Sequence, residues 1–243
     1  MKTFLIQTVD NQIVHDFSFA LIEAIKYNNW YYNEEIYKGI VGDEVACPIR
    51  NWEHQEDFIP IGTVEYVLAY LKKYYQIDNI KPLNIPKELL KPEYLQRQVY
   101  FSNNDQPTFN TGDMPIFVKD NIKIKGYTNI VEPNKCYPSG EYMVSEYIDI
   151  DSEWRAFVFN NELVGLHNYS GDFTIFPDVK LIKIMIKDFN YNGAYTLDIG
   201  VNLKGTFIIE CHDFFSCGLY GFEDYKLLPK MFISTWNKLI KDK

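Results

Sequence analysis

A mixed α/β (α+β) fold is what this sequence predicts, and three observations predict it. Strand-like and helix-like stretches alternate over the first 75 residues. Residues 99–171 then read as a run of short strands. Residues 195–221 read as two strands joined by a turn at Asn202-Leu203-Lys204-Gly205, and each strand carries one acid in an apolar setting.

The elements follow in order. Residues 3–9 read as a buried strand. Asp16 is placed to cap an amphipathic helix that runs through Phe19, Ile22, Glu23 and Lys26. Short strand-like pieces lie at 36–41 and 45–49. A second helix covers 61–75, with Thr63 as its N-cap and Val64, Val67, Leu68 and Leu71 at helical spacing. Residues 81–93 carry Pro82, Pro86 and Pro92, which stop strands and helices alike and mark a lobe boundary. Strands are expected at 99–102, 115–119 and 141–148, with a hairpin between the last two whose lysines are 119, 123 and 125. Two further strands meet at Asn160-Asn161. A helix is expected at 178–189, and a last one at about 223–241 with Leu227, Leu228, Phe232 and Trp236 turned inward.

The 243 residues suffice for a full core, and 47% of them are apolar. A formal charge of −9 argues against general nucleic-acid binding, because nothing broad would neutralise phosphates. It leaves room for a small nucleotide in a local basic pocket. No apolar run approaches the ~20 residues of a membrane span. The N-terminal residues read as a strand rather than an export signal, so a cytoplasmic setting with reduced thiols is expected. Cys47, Cys136, Cys211 and Cys217 show no metal-knuckle spacing.

The chemistry concentrates on a few positions. Asp198 and Glu210 are flanked by Leu197, Ile199, Ile208 and Ile209. Two carboxylates on paired strands in an apolar sheet are costly unless a cation compensates them. With the turn fixing the register, they can share a hard metal through oxygen, and His212 and Asp213 follow as further ligands. The other reading is two strand acids pointing into water. Lys119 ends the apolar run Ile116-Phe117-Val118, where an inward ammonium needs an anion. Glu153 and Arg155 share one strand face. Arg50, Arg97 and Arg155 are the sole arginines, and one on a buried-looking strand reads as a phosphate or carboxylate clamp.

In their order, these parts resemble the ATP-grasp superfamily over residues 97–222. Phe117-Val118-Lys119 resembles the strand lysine that meets nucleotide phosphates, and Lys123 or Lys125 the second lysine. Ser145-Glu146-Tyr147-Ile148 resembles the hinge whose backbone pairs with adenine. Glu153-Trp154-Arg155 resembles the acid-x-Arg strand that serves ribose and the terminal phosphate. Asp198 and Ile209-Glu210-Cys211-His212 resemble the metal ligands, with His212 where the family has asparagine. Gly218-Leu219-Tyr220-Gly221 and Pro60-Ile61-Gly62-Thr63 resemble a clade of phage and bacterial ATP-grasp proteins.

The resemblance implies an N-terminal α/β lobe (1–95) and two α+β lobes (96–148 and 149–243) enclosing ATP. It implies Mg²⁺, with Mn²⁺ as an alternative, held by Asp198 and Glu210 with His212 or Asp213. The implied activity is an ATP-dependent carboxylate–amine ligase working through an acyl phosphate, with Lys119 and Arg155 at the phosphates. Its partners would be ATP, a small-molecule or peptide carboxylate, and an amine. Arg97 is the candidate for the substrate carboxylate. Loops at 103–112 and 168–176 are expected to set specificity. The alternative is a nucleotide-binding module or a phosphoryl transferase without amide ligation.

Overall fold

The computed structural model describes residues 1–43, 58–102, 114–133 and 135–241. The expected strand at 45–49, Arg50, Cys47 and the loop at 103–112 lie outside them. The chain forms two compact units. One comprises residues 1–79, 193–195 and 213–243, and the other residues 80–192 and 196–212. This grouping cuts across consecutive lobes ending at 95 and 148, because the chain returns to the first unit at its end.

The first unit is built on a three-stranded parallel sheet of β1 (Lys2–Thr8), β2 (Tyr37–Asp43) and β3 (Phe58–Ile61), in the order β2-β1-β3. Phe4, Leu5 and Ile6 of the central strand are at most 2% exposed, as a strand covered on both faces requires. α1 (Asp16–Tyr32) buries Phe17, Leu21, Ala24, Ile25 and Asn28. That corrects the expected face, since Phe19 is 63% exposed. Asp16 is also not the cap. His15 holds that position, and the Asp16 carboxylate accepts from the N–H groups of Phe17 and Leu219.

α2 (Val64–Tyr75) starts as the sequence predicts, with Thr63 Oγ1 accepting the N–H of Tyr66 at 3.2 Å. A 3₁₀ turn at Tyr225–Leu227 precedes the last helix, Leu228–Leu239. Its Leu228, Phe232 and Trp236 are buried and Leu227 is half-buried.

The second unit opens with a 3₁₀ turn at Lys87–Leu89 and the short helix α3 (Pro92–Leu95). One antiparallel sheet follows, ordered β4 (Val99–Ser102), β7 (Tyr142–Glu146), β5 (Ile116–Asp120), β6 (Thr128–Val131). A second sheet runs β11 (Gly205–Asp213), β10 (Ala194–Asn202), β8 (Ser152–Phe159), β9 (Glu162–Gly171). Between these strands lies α4 (Val179–Phe189), capped by Asp178 through the N–H groups of Lys180 and Leu181.

Asn160 and Asn161 both have positive φ, 50° and 63°, the left-handed pair that a two-residue hairpin between β8 and β9 needs. β10, one of the two inner strands of its sheet, is buried through its first eight residues. No described helix is long and apolar enough to cross a membrane.

Candidate functional site

All the groups that converge belong to the second unit. Period-two alternation aims them. On β5, Ile116 and Val118 enter a core with Val131, Tyr142 and Val144. Phe117 and Lys119 therefore project from the opposite face. On β7, Tyr142 and Val144 face that same core, while Met143 and Ser145 face the other way. Phe117, Met143, Ile148, Phe207 and Ile209 form apolar walls of a cleft of about 280 Å³. Its polar lining includes Arg97, Glu146, Glu153 and Glu210. The Phe207 ring lies where a Cβ on Gly200 would come within 2.4 Å, so glycine at 200 lets the ring settle.

The charged cluster is held tightly. Arg155 donates from Nε to Asp198 Oδ1 and from Nη2 to Oδ2, both at 2.8 Å. This two-pronged pair is buried, with the Asp198 side chain 3% exposed. Lys119 Nζ contacts Glu210 Oε2. His212 Nε2 lies 2.8 Å from Glu210 Oε1 and 3.8 Å from Asp198 Oδ2. Ligand atoms of Asp198, Glu210 and His212 all fall within 4.8 Å of one another. Tyr169 donates its hydroxyl to Glu153 Oε2 at 2.8 Å, and its ring centre is 5.6 Å from the Arg155 guanidinium carbon.

Burial shapes the titration of these groups. It pushes the Lys119 ammonium down to about 8, against the opposing pull of Asp198. It lowers Arg97 to about 10, against Glu146. Burial also raises the Tyr169 phenol well above its ordinary value, which keeps the hydroxyl a donor to Glu153.

Placement of the remaining sequence candidates is mixed. Arg97 lines the cleft, but it donates to the main-chain carbonyls of Leu95 and Ile208 at 3.1 and 2.8 Å. Glu146, Tyr147 and Ile148 lie in the cleft wall. The N–H of Glu146 goes to Gln98 O and that of Tyr147 to Pro115 O, whereas that of Ile148 has no main-chain acceptor among the described residues. Lys123 and Lys125 are exposed in the turn after β5. That turn is tight because Asp120 Oδ1 accepts the N–H groups of Ile122 and Lys123. Asp213 is outside the ligand group. Alternation explains this, since Glu210 and His212 share one face of β11 and Asp213 takes the other.

Sequence reasoning missed Asn84 and Tyr169. Asn84 lies in the proline-rich stretch and is 1% exposed. Its amide donates to Asp120 O and Asn121 Oδ1, and its own carbonyl accepts the N–H of Cys211 at 2.6 Å. It thereby ties the end of β5 to β11, the two strands that carry Lys119 and Glu210. No local pattern marks that bond. Counting does not find Tyr169 either: a regular hairpin from the Asn160-Asn161 turn sets it opposite Ser152, on the other face from Glu153 and Arg155, and only the register shifts at Phe157/Val158 and Glu153/Trp154 leave it beside Glu153.

The family model for the ATP-grasp domain, R2K clade family 2, matches residues 94–228, more than half of the chain. The chain belongs to that family. No curated protein matches the sequence. Among solved structures, this ATP-grasp chain is similar to D-alanine–D-alanine ligase from Bacillus anthracis at 14% identity and a TM-score of 0.56, with 100% of this chain and 99% of that one covered. That ligase has also been solved with ATP. N5-carboxyaminoimidazole synthetase from Staphylococcus aureus gives 14% identity and a TM-score of 0.56, covering 96% and 77%. The ATP-grasp ligase PsnB, solved with a phosphomimetic variant of its minimal precursor, Mg and ADP, gives 11% identity and 0.52, covering 96% of each chain. At these identities the likeness is one of fold, and the fold is the mixed α+β architecture of ATP-grasp ligases.

Proposed function

We propose that this ATP-grasp protein is an ATP-dependent ligase that joins a carboxylate, on a small molecule or peptide, to an amine through an acyl phosphate. One observation carries the reading. Two cations, two carboxylates and an imidazole meet beside Glu210, where the mostly apolar cleft of about 280 Å³ also ends. Such a slot with few convergent polar groups is the usual form of a nucleotide pocket. The likeness to ligases, two of them solved with ATP or with Mg and ADP, supports the same reading.

In this reading adenine lies between Phe117, Met143, Ile148 and Ile209, and the N–H of Ile148, which has no main-chain acceptor among the described residues, is its natural donor. Glu153, steadied by Tyr169, receives ribose hydroxyls. Lys119 and Arg155 turn to the phosphates, with Lys123 or Lys125 as a second lysine. The donor set fits a divalent cation: two carboxylates and an imidazole lie within ligand reach, and the protein's own cations now neutralise the two acids. Asp198, Glu210 and His212 would hold the ion, and a bound ion would neutralise charge that builds on the transferring phosphate.

The reaction balances in two steps. A substrate carboxylate oxygen attacks the terminal phosphorus, its bond to the bridging oxygen breaks, and ADP leaves. The amine nitrogen then attacks the acyl carbon, the carbon–oxygen bond to phosphate breaks, and the nitrogen loses a proton as phosphate departs. The protein contributes placement and fixed charge rather than a covalent intermediate. Arg97, with its guanidinium committed to strand carbonyls, serves by fixing the cleft wall.

The test is ADP release with Mg²⁺ and ATP over pooled carboxylates and amines. The ligase reading expects turnover that requires both an acid and an amine and disappears in Glu210→Gln. ADP release that ignores the amine would instead identify a phosphoryl transferase. Nucleotide binding without any release would identify a binding module.

A further inference from the structure

We infer that the cation position in this cleft selects a first-row divalent transition ion over Mg²⁺, and that His212 sets this preference. The inference deepens the ligase reading, because it concerns the metal of the same site, yet it stands on the donor atoms alone.

Glu210 and His212 are two residues apart on β11, so the strand itself aims both side chains to one side. Asn84 O accepts the N–H of the intervening Cys211, and Cys211 is fully buried, which pins the strand at this point. His212 Nε2 is thus held 2.8 Å from Glu210 Oε1 and 3.8 Å from Asp198 Oδ2. The group is a nitrogen-containing set on a fixed backbone, not a loose acidic patch.

Mg²⁺ demands oxygen ligands in a near-ideal octahedron and gives up water reluctantly, so a neutral imidazole offers it little. Later divalent ions accept imidazole readily, and their affinity for nitrogen ligands rises along the series from Mn²⁺. The carboxylates attract either kind of ion through charge. The imidazole adds no charge, so it favours the ion that can bond to nitrogen. His212 is also the most open of the three side chains, at 35% exposed against 19% for Glu210 and 3% for Asp198, so it can meet an arriving ion first.

The experiment uses Mn²⁺ as the probe on the full chain without nucleotide. Pulsed electron paramagnetic resonance should show a nitrogen coupling of the imidazole kind on bound Mn²⁺. Competition against Mg²⁺ should show Mn²⁺ bound more tightly. Replacing the nitrogen donor by an amide oxygen in His212→Asn should remove the coupling and lower the Mn²⁺-to-Mg²⁺ preference by about tenfold or more, at least the loss seen when a metal's supporting shell is removed. Glu210→Gln should abolish binding at this position.

No nitrogen coupling on wild-type Mn²⁺ overturns the inference, as does an absence of Mn²⁺ binding. A preference unchanged in His212→Asn, or a coupling that survives Glu210→Gln, overturns it too. The wild-type spectrum suffices should either variant fail to fold. Adding ADP afterwards separates the two claims: an intact nitrogen coupling with no nucleotide binding would leave the metal inference standing and remove the ligase reading.

Discussion

At residue scale, Arg155 and Asp198 do two tasks at once. The pair closes both carboxylate oxygens inside the sheet, and it stores a guanidinium beside the cleft. Removing one member leaves the other buried and uncompensated. Arg155→Ala should therefore destabilise the protein by about 3–5 kcal/mol in urea denaturation. A loss below about 1 kcal/mol would mean that solvent reaches Asp198 in solution. Glu210 is the better position for a functional substitution, because it is partly open and its removal leaves no fully buried charge alone. Period-two alternation made the acids, Lys119 and Arg155 legible in the sequence. The same rule, applied one step further, separates His212 from Asp213. The face of α1 was misread because Phe19 is apolar yet exposed, while Asn28, which is polar, turns inward and donates to Ala24 O and Lys226 O.

At element scale, strand bonds far apart in sequence place the cluster. Asn84 links β5 to β11 through one side chain and one carbonyl, in a left-handed backbone with φ 46°. Asn84→Ala loses those buried amide bonds and should cost about 1–3 kcal/mol in thermal or urea unfolding. Nucleotide affinity should fall in the same variant, since Lys119 and Glu210 lose their common tether. A stability loss with unchanged affinity would confine Asn84 to the fold. A second tether joins α3 to α4, where Asp188 accepts from Lys91 and Tyr94 at 2.5 and 2.6 Å.

The Lys91 and Tyr94 bonds hold the Asp188 carboxyl below its usual range. Asp188 raises Lys91 in turn. The depressed acid stabilises above its unfolded value near ~3.9, and that contribution disappears as pH falls through its folded value. The raised base stabilises below its unfolded value near ~10.4 and loses that contribution as pH rises beyond it. Melting temperature against pH should therefore fall less steeply below about pH 4 in Asp188→Asn than in the wild type. Parallel acid limbs would contradict it. The sequence predicts α4 but not α3, whose Pro92 reads as a stop although it stands at the first helical turn, and it predicts neither tether, because Asn84, Lys91 and Asp188 carry no local signal of their distant partners.

At the scale of the whole molecule, element type and order were readable because periodicity, caps and turns are local. Thr63, Asp178 and the Asn160-Asn161 turn each fix an element boundary by chemistry within a few residues. Which elements form one compact body was not readable. The last helix joins the first 79 residues, a choice made by the packing of Phe17 on Phe232 and of Tyr70 on Trp236 rather than by any pattern along the chain. A net charge of −9 bears on function at this scale. An acidic protein repels a free triphosphate, so under the proposed ligase function the nucleotide would be best received as its less anionic metal complex.

The central claim is that one cleft takes nucleotide and divalent ion together, through the charges gathered at Glu210. Calorimetric titration with ADP in the presence and absence of Mg²⁺ or Mn²⁺ tests it most directly, on wild type, Glu210→Gln and Lys119→Ala. The account predicts saturable binding that needs the metal and weakens about tenfold or more in each variant, the cost of one lost charge-assisted contact of roughly 1.5–3 kcal/mol. Equal binding by all three proteins, or wild-type affinity that ignores the metal, would contradict it.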